Sequence, residues 1–306
     1  MSDFAELGKA DRLYASYRYL KLMSIRKIGR TLIKCAGRFE ESIFRPRTRG
    51  ESFYPRSDFF IVGAQKSGTT SLTFWLDQLP EFNMATMRVP HKLRQRIEIR
   101  FFSDPRIRMR GLKWYASRYI PGRINGEKCP EYLARKVSIE EIYRYNPGAR
   151  IVVLLRNPVN RAFSTYQYYG RKRKRSHNWD WLLPDHTFEE NLQAEVLTGF
   201  SIGILARGRY VEQIEYLYKI FPKEQVKIWI LERILDDPEG NLRDLLSFLG
   251  AEPNGRDFEF LHRNRGGYAT QLAEDTRRKL EDYYRPCNQR LYNLLGYTIP
   301  EWESRK

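Results

Sequence analysis

The stretch DFFIVGAQKSGTTSLTFWLDQL, residues 58 to 79, constrains the fold more than any other. A short apolar run gives way to glycines and hydroxyls and then to apolar residues at helical spacing, so the chain reads strand, loop, helix. Such a loop ends where several backbone N–H groups lack an intrahelical partner and point one way, at the positive end of the helix dipole. That arrangement cradles an anion. Gly63 and Gly68 let the backbone approach closely, and Thr69, Thr70 and Ser71 add hydroxyl donors suited to a phosphate.

From residue 58 onward strands and helices alternate. ARIVVLL and QVKIWIL read as buried strands, and NRAFSTYQYY and RYVEQIEYLYKIF as helices. Ser138 and Glu141 have the spacing of a capping box, and Pro238 and Gly250 bracket a further helix in the N1 and C′ positions. The alternation predicts an α/β fold of the P-loop-like, three-layer kind, with a central parallel sheet flanked by helices. Residues 1–57 form a separate arm and linker ahead of a domain at 58–306. In the arm, Leu22, Ile25, Leu32, Ile33 and Ala36 face away from Arg26, Lys27, Arg30, Lys34 and Arg38, the pattern of a basic amphipathic helix. Two readings stand: a helix packed on the domain, or peripheral membrane contact through residues 18–39.

The formal charge of +17, from 54 Lys and Arg against 37 Asp and Glu, favours an anionic partner. A nucleic-acid-binding protein is one rival class, yet the sequence carries no helix-turn-helix, zinc-finger or RNP signature. Three cysteines, Cys35, Cys129 and Cys287, lie far apart without metal-ligand spacing. Together with the lack of a signal-peptide pattern they lead to the expectation of a cytoplasmic location. A P-loop kinase is the rival enzyme. Gly63 and Gly68 have the kinase spacing, but Thr69 stands where that motif has lysine, and the lysine sits two places before the second glycine as Lys66. The strand ARIVVLL runs into Arg156 rather than an Asp that could help hold Mg²⁺. A cation there suits a second phosphate.

At these residues the chain resembles the sulfotransferases that use 3′-phosphoadenosine 5′-phosphosulfate (PAPS). QKSGTTSL is similar to their 5′-phosphosulfate loop, and RNPVNRAFSTYQYY to their 3′-phosphate motif, an Arg followed eight residues later by a Ser. EIRFF, GEKCPEYL and YYRPCNQRLYNLLG resemble, respectively, the general-base stretch, the E-K-x-P-x-Y segment and the C-terminal helix pair of the heparan-sulfate branch and its bacterial relatives. The resemblance covers about residues 58 to 302.

It implies that Gln65, Lys66, Ser67, Gly68, Thr69, Thr70 and Ser71 hold the 5′-phosphosulfate, with Lys66 neutralising the bridging oxygen. Arg156 and Ser164 would bind the 3′-phosphate, and Arg265, Gly266, Gly267 and Tyr268 would cover the adenosine end. Glu98 is the implied general base, although Ile97 and Arg100 replace the family's Lys before it and His two after it; His91 is the second candidate. Lys128 would lie near the sulfuryl group, and Cys129 beside it reads as structural. No metal is required. The implied acceptor is a hydroxyl, or an amine, on a glycan, glycolipid or small metabolite. The basic stretch GRKRKRSHNW is either a rim that guides an acidic acceptor or a solvated helix end. Trp75, Trp114, Tyr166 and Trp229 read as core residues.

Overall fold

The computed structural model describes residues 55–87, 98–175, 187–198, 203–252, 260 and 271–303. The arm at 1–54, His91, and the segment holding Arg265, Gly266, Gly267 and Tyr268 lie outside the described residues. The described chain opens with β1 (Phe59–Gly63), α1 (Thr69–Leu76) and β2 (Phe82–Ala85). Two short helices, α2 (Pro105–Arg108) and α3 (Gly111–Ala116), lead into β3 (Ile124–Lys128), α4 (Lys136–Tyr145) and β4 (Arg150–Leu155). Then come α5 (Pro158–Arg175), α6 (Phe188–Thr198), α7 (Tyr210–Ile220) and β5 (Val226–Ile230). The last helices are α8 (Leu231–Asp236), α9 (Pro238–Leu249) and α10 (Glu274–Leu295).

All pairings in the five-stranded sheet are parallel, in the order β2-β3-β1-β4-β5. β1 is buried along its whole length, as a strand covered on both faces must be. Phe60, Val62, Ile151 and Val153 face a core completed by α4, α7 and α10, and Phe59, Ile61, Val152 and Leu154 face a second core built on α1 and α9. A third cluster joins α5 to α10 through Val159, Phe163, Leu280 and Tyr284. The central parallel sheet between helical layers is the architecture the alternation predicts.

Local expectations fared unevenly. Pro238 does open α9, where the Asp237 carboxylate accepts from Gly240 N–H at 2.9 Å, and Gly250 ends it in the left-handed region at φ 79°. The capping box at Ser138 and Glu141 is overturned. Helix α4 starts at Lys136, so Ser138 already lies inside its first turn, where its hydroxyl donates to the Phe102 carbonyl at 2.6 Å. Glu141 instead pairs with Arg108. The C-terminal helix pair is one helix, which continues through Pro286 because Tyr284, Leu291 and Tyr292 are buried on either side of it. Lys and Arg at 171–175 form the end of α5, one of the two readings of that basic stretch.

Candidate active site

Parallel pairing brings Gly63, Lys128, Leu155 and Ile230 to the same edge of the sheet, the carboxyl ends of the strands. Strands β3 and β4 flank β1 on opposite sides, and such a switch point leaves a crevice where ligands bind. The loop after β1 is anchored there by Ala64 N–H, which donates to the Leu154 carbonyl at 2.6 Å. It turns through Lys66, held in the left-handed region at φ 72°, a conformation that costs a non-glycine residue about 1–3 kcal/mol. Gly68 follows at φ 88° and caps α1 with no side-chain capping bond. A Cβ on Gly68 would stand 2.7 Å from Leu231 Cδ1.

The loop is tied to α5. Arg156 Nη1 donates to the Lys66 carbonyl at 3.3 Å, and the Arg156 carbonyl accepts from the Tyr210 hydroxyl at 2.9 Å. Burial pushes the Tyr210 hydroxyl up to about 12, so it remains a donor at neutral pH. Gln65 Nε2 donates to Tyr169 Oη at 3.1 Å, and Gln65 Oε1 accepts from Arg207 Nη1 at 2.8 Å. The Lys66 ammonium sits 3.9 Å above the Tyr168 ring, within cation–π range. Asn157 Oδ1 caps α5 by accepting from Val159 and Asn160 N–H, at 3.0 and 3.2 Å. Ser164 is buried one turn ahead of Tyr168 on this helix. Gln65, Lys66 and Arg156 are thus joined through backbone and side chain, with Ser164 on the helix that receives them.

Within the cradle, Ser67 Oγ is buried and, among the described residues, has no hydrogen-bond partner. Thr69 and Ser71 are buried and Thr70 is exposed. A small apolar cavity of about 10 Å³ lies against Gly68 and Ser71, lined by Leu72, Trp75, Trp229 and Leu235. It has the size of about one water. Trp75 and Trp229 are core residues, as the sequence reading has them, while Trp114 and Tyr166 pack at the margins of the core.

The second part of the site comes from β3 and the segment before α2. Lys128 Nζ donates to Glu98 Oε1 at 2.9 Å, and Arg100 Nε lies 3.6 Å from Glu98 Oε2. Both members of the Glu98–Lys128 pair are largely sheltered, with side-chain exposures of 24% and 14%. Burial opposes the charge of Arg100, but Glu98 and Glu131 outweigh it and raise its pKa. Glu98, from this second part, acts electrostatically on the Tyr168 hydroxyl of the first. Burial raises the pKa of that hydroxyl, with Tyr169 and Glu98 adding to the effect, while the Lys66 ammonium covers the Tyr168 ring.

The sequence reading missed Arg207, whose pKa burial lowers, and also Tyr168, Tyr169, Tyr210 and Glu127. Tyr168 left a signal, since it follows Ser164 by four residues and so shares its helix face, and Glu127 opens the E-K-x-P-x-Y segment. Arg207 lies 142 positions from Gln65, and nothing local announces that contact.

Comparison with known proteins gives the family. Residues 56–265 match the family model described as a sulfotransferase domain. Mouse heparan sulfate glucosamine 3-O-sulfotransferase 3B1 is 28% identical over 262 residues, which cover 77% of this chain and 62% of that protein. The chain therefore spans somewhat under two thirds of the length of that relative. Human bifunctional heparan sulfate N-deacetylase/N-sulfotransferase 2 is 25% identical across 80% of this chain and 30% of its own length. The crystal structure of a sulfotransferase from Alicyclobacillus acidocaldarius superposes with a TM-score of 0.66 at 26% identity, covering 81% of this chain and 99% of that one. With the family model spanning more than half of its residues and a related structure superposing over most of its length, the chain belongs to the sulfotransferase family.

Proposed function

We propose that the protein transfers a sulfuryl group from PAPS to a hydroxyl, or by the same chemistry an amine, of a glycan, a glycolipid or a small metabolite. The observation that carries this reading is the meeting at one sheet edge of a phosphate cradle, through Lys66, and a sheltered Glu98–Lys128 pair. The cradle suits the donor: Gly68 leaves the first turn of α1 open, and Ser67 places a buried hydroxyl in the loop. When bound, PAPS supplies an activated sulfuryl group on a phosphate leaving group.

In this reading Gln65 through Ser71 hold the 5′-phosphosulfate by N–H and hydroxyl donors, and Arg156 with Ser164 holds the 3′-phosphate. The resemblance assigns the adenosine end to Arg265, Gly266, Gly267 and Tyr268, which lie outside the described residues. Lys66 places its cation where negative charge develops on the departing oxygen, an effect that preorganised donors supply at about 3 kcal/mol or more. Glu98 accepts the acceptor's proton, with one carboxylate oxygen fixed by Lys128. Arg100, standing where the family has histidine, keeps a cation beside the same carboxylate.

The test is turnover of [³⁵S]PAPS with heparan sulfate, a glycolipid extract and small phenols as acceptors, for the wild type and for Glu98→Gln. Label transfer that drops by about 10²-fold or more in the variant supports the reading. Undiminished transfer by Glu98→Gln would remove the base assignment, and a wild type that releases no label from PAPS would remove the donor.

A further inference from the structure

Glu127 precedes Lys128 on β3 and is fully buried, yet the reaction outlined above does not use it. Its Oε1 accepts from the Tyr132 hydroxyl at 2.6 Å, and its Oε2 accepts from the Tyr115 hydroxyl and, at 3.4 Å, from the Tyr119 hydroxyl. A buried carboxylate needs such donors, and here three tyrosines supply them, Tyr115 and Tyr119 from the end of α3 and just after it, and Tyr132 from beyond β3. The knot reaches beyond itself. The Tyr132 oxygen that donates to Glu127 also accepts from the backbone N–H of Phe102 at 3.2 Å. The other side of the Phe102 peptide is fixed as well, since its carbonyl accepts from Ser138. The Tyr115 ring stacks on Phe101 at 4.2 Å, and its edge meets Phe102 at 5.4 Å.

Phe101 and Phe102 sit three and four residues after Glu98. Between them and Glu98 the chain turns at Arg100, held at φ 61°, so the direction in which Glu98 leaves the core is set by where the two phenylalanines are pinned. Lys128, the partner of Glu98, follows Glu127 directly on the same strand. We infer that Glu127 is a positioning residue for sulfuryl transfer: through Tyr132 and the Phe102 backbone it sets the register of Glu98 against Lys128. The inference rests on the proposed role of Glu98. It assigns the first residue of the E-K-x-P-x-Y segment a task distinct from that of the lysine beside it. A purely structural carboxylate would hold the fold together and leave the pair as it is.

Crystal structures and kinetics of Glu127→Gln and Tyr132→Phe separate these roles, with release of 3′-phosphoadenosine 5′-phosphate from PAPS as the measure of turnover. Tyr132→Phe keeps the ring and removes only the bridging oxygen, so it serves if Glu127→Gln does not fold. The expected results are a Glu98–Lys128 separation beyond hydrogen-bond reach and kcat lower by about 10- to 100-fold. Affinity for 3′-phosphoadenosine 5′-phosphate should stay within about twofold, because the cradle is untouched. In a Glu98→Gln background the loss from Tyr132→Phe should vanish. An intact Glu98–Lys128 contact with wild-type kcat in Tyr132→Phe overturns the inference, as does an undiminished loss in the Glu98→Gln background. If Glu98→Gln itself is fully active, the base assignment fails on its own, and the distinction between the two failures is plain.

Discussion

The loop after β1, proposed here as the phosphate cradle, and the Glu98 side of the crevice are built by opposite means. In the cradle, residues 64 to 71 do most of the work through their own backbone, and the partners on α5 add to a shape that the loop already has. On the Glu98 side Arg100 is near in sequence, but the hydrogen bonds are distant: Glu98 is placed by Lys128 thirty positions on, and Phe102 by Tyr132, also thirty positions on, and by Ser138. The charges differ too. The cradle gathers cations and N–H donors, whereas the other side buries a carboxylate in tyrosine hydroxyls and pairs a second with lysine. An anion site can be encoded in one stretch of chain because backbone N–H groups supply it. A base with a fixed direction needs side chains converging from separate elements.

The largest effect that would sharpen this comparison is expected from Lys66→Ala. Removing the cation from the cradle should lower turnover of PAPS by about 10²- to 10³-fold while the affinity for 3′-phosphoadenosine 5′-phosphate changes far less, as single-turnover kinetics and calorimetry would report. Equal losses in both would make Lys66 a binding residue only.

A smaller effect separates the two regions by pH. Burial raises the Glu127 carboxyl from 4.5 to about 7, against the pull of the Tyr115, Tyr132 and Tyr119 hydroxyls, with Glu98 adding to the rise. A carboxyl whose pKa is higher in the folded state favours the fold while protonated. Its contribution is fully present below pH 4.5 and is lost as pH rises through about 7. The tyrosines around it have raised values and do not titrate in that window. Wild type should therefore lose about 3 kcal/mol relative to Glu127→Gln between pH 4.5 and 8, read from denaturant midpoints. Parallel curves for the two proteins would show that Glu127 is ionised at little cost.

The smallest effect tests the cradle's backbone. Gly68→Ala should destabilise the fold by about 1–2 kcal/mol, because φ 88° disfavours alanine and the new methyl meets Leu231. An unchanged unfolding midpoint would mean that the loop relaxes freely and is less preorganised than the contrast with Glu98 requires.

The same contrast explains what could be read from the sequence. The strand, loop and helix from 58 to 79 were legible because apolar spacing and glycine placement decide them locally. The partners β4 and β5 were legible as apolar runs. Strands β2 and β3 were not, since FNMA and INGEK have weak strand character and become strands through their neighbours. Gly126 shows the reason: a Cβ there would lie 2.2 Å from the Phe59 ring, so its place in β3 is set by β1. Lys66, Arg156 and Ser164 could be picked out as a set, and the structure ties Lys66 to Arg156 and to the helix carrying Ser164. Arg207, Tyr169 and Tyr210 could not be picked out, because each acquires its place only through contacts with residues distant in sequence.

The measurement that bears most directly on the central claim is calorimetric titration of the protein with 3′-phosphoadenosine 5′-phosphate and, separately, with ATP and Mg²⁺, repeated on Arg156→Ala. The account predicts micromolar binding of the bisphosphate without added metal, weakened in the variant by about 10- to 100-fold through loss of charged hydrogen bonds. Tighter binding of Mg-ATP, or bisphosphate binding indifferent to Arg156, would contradict it.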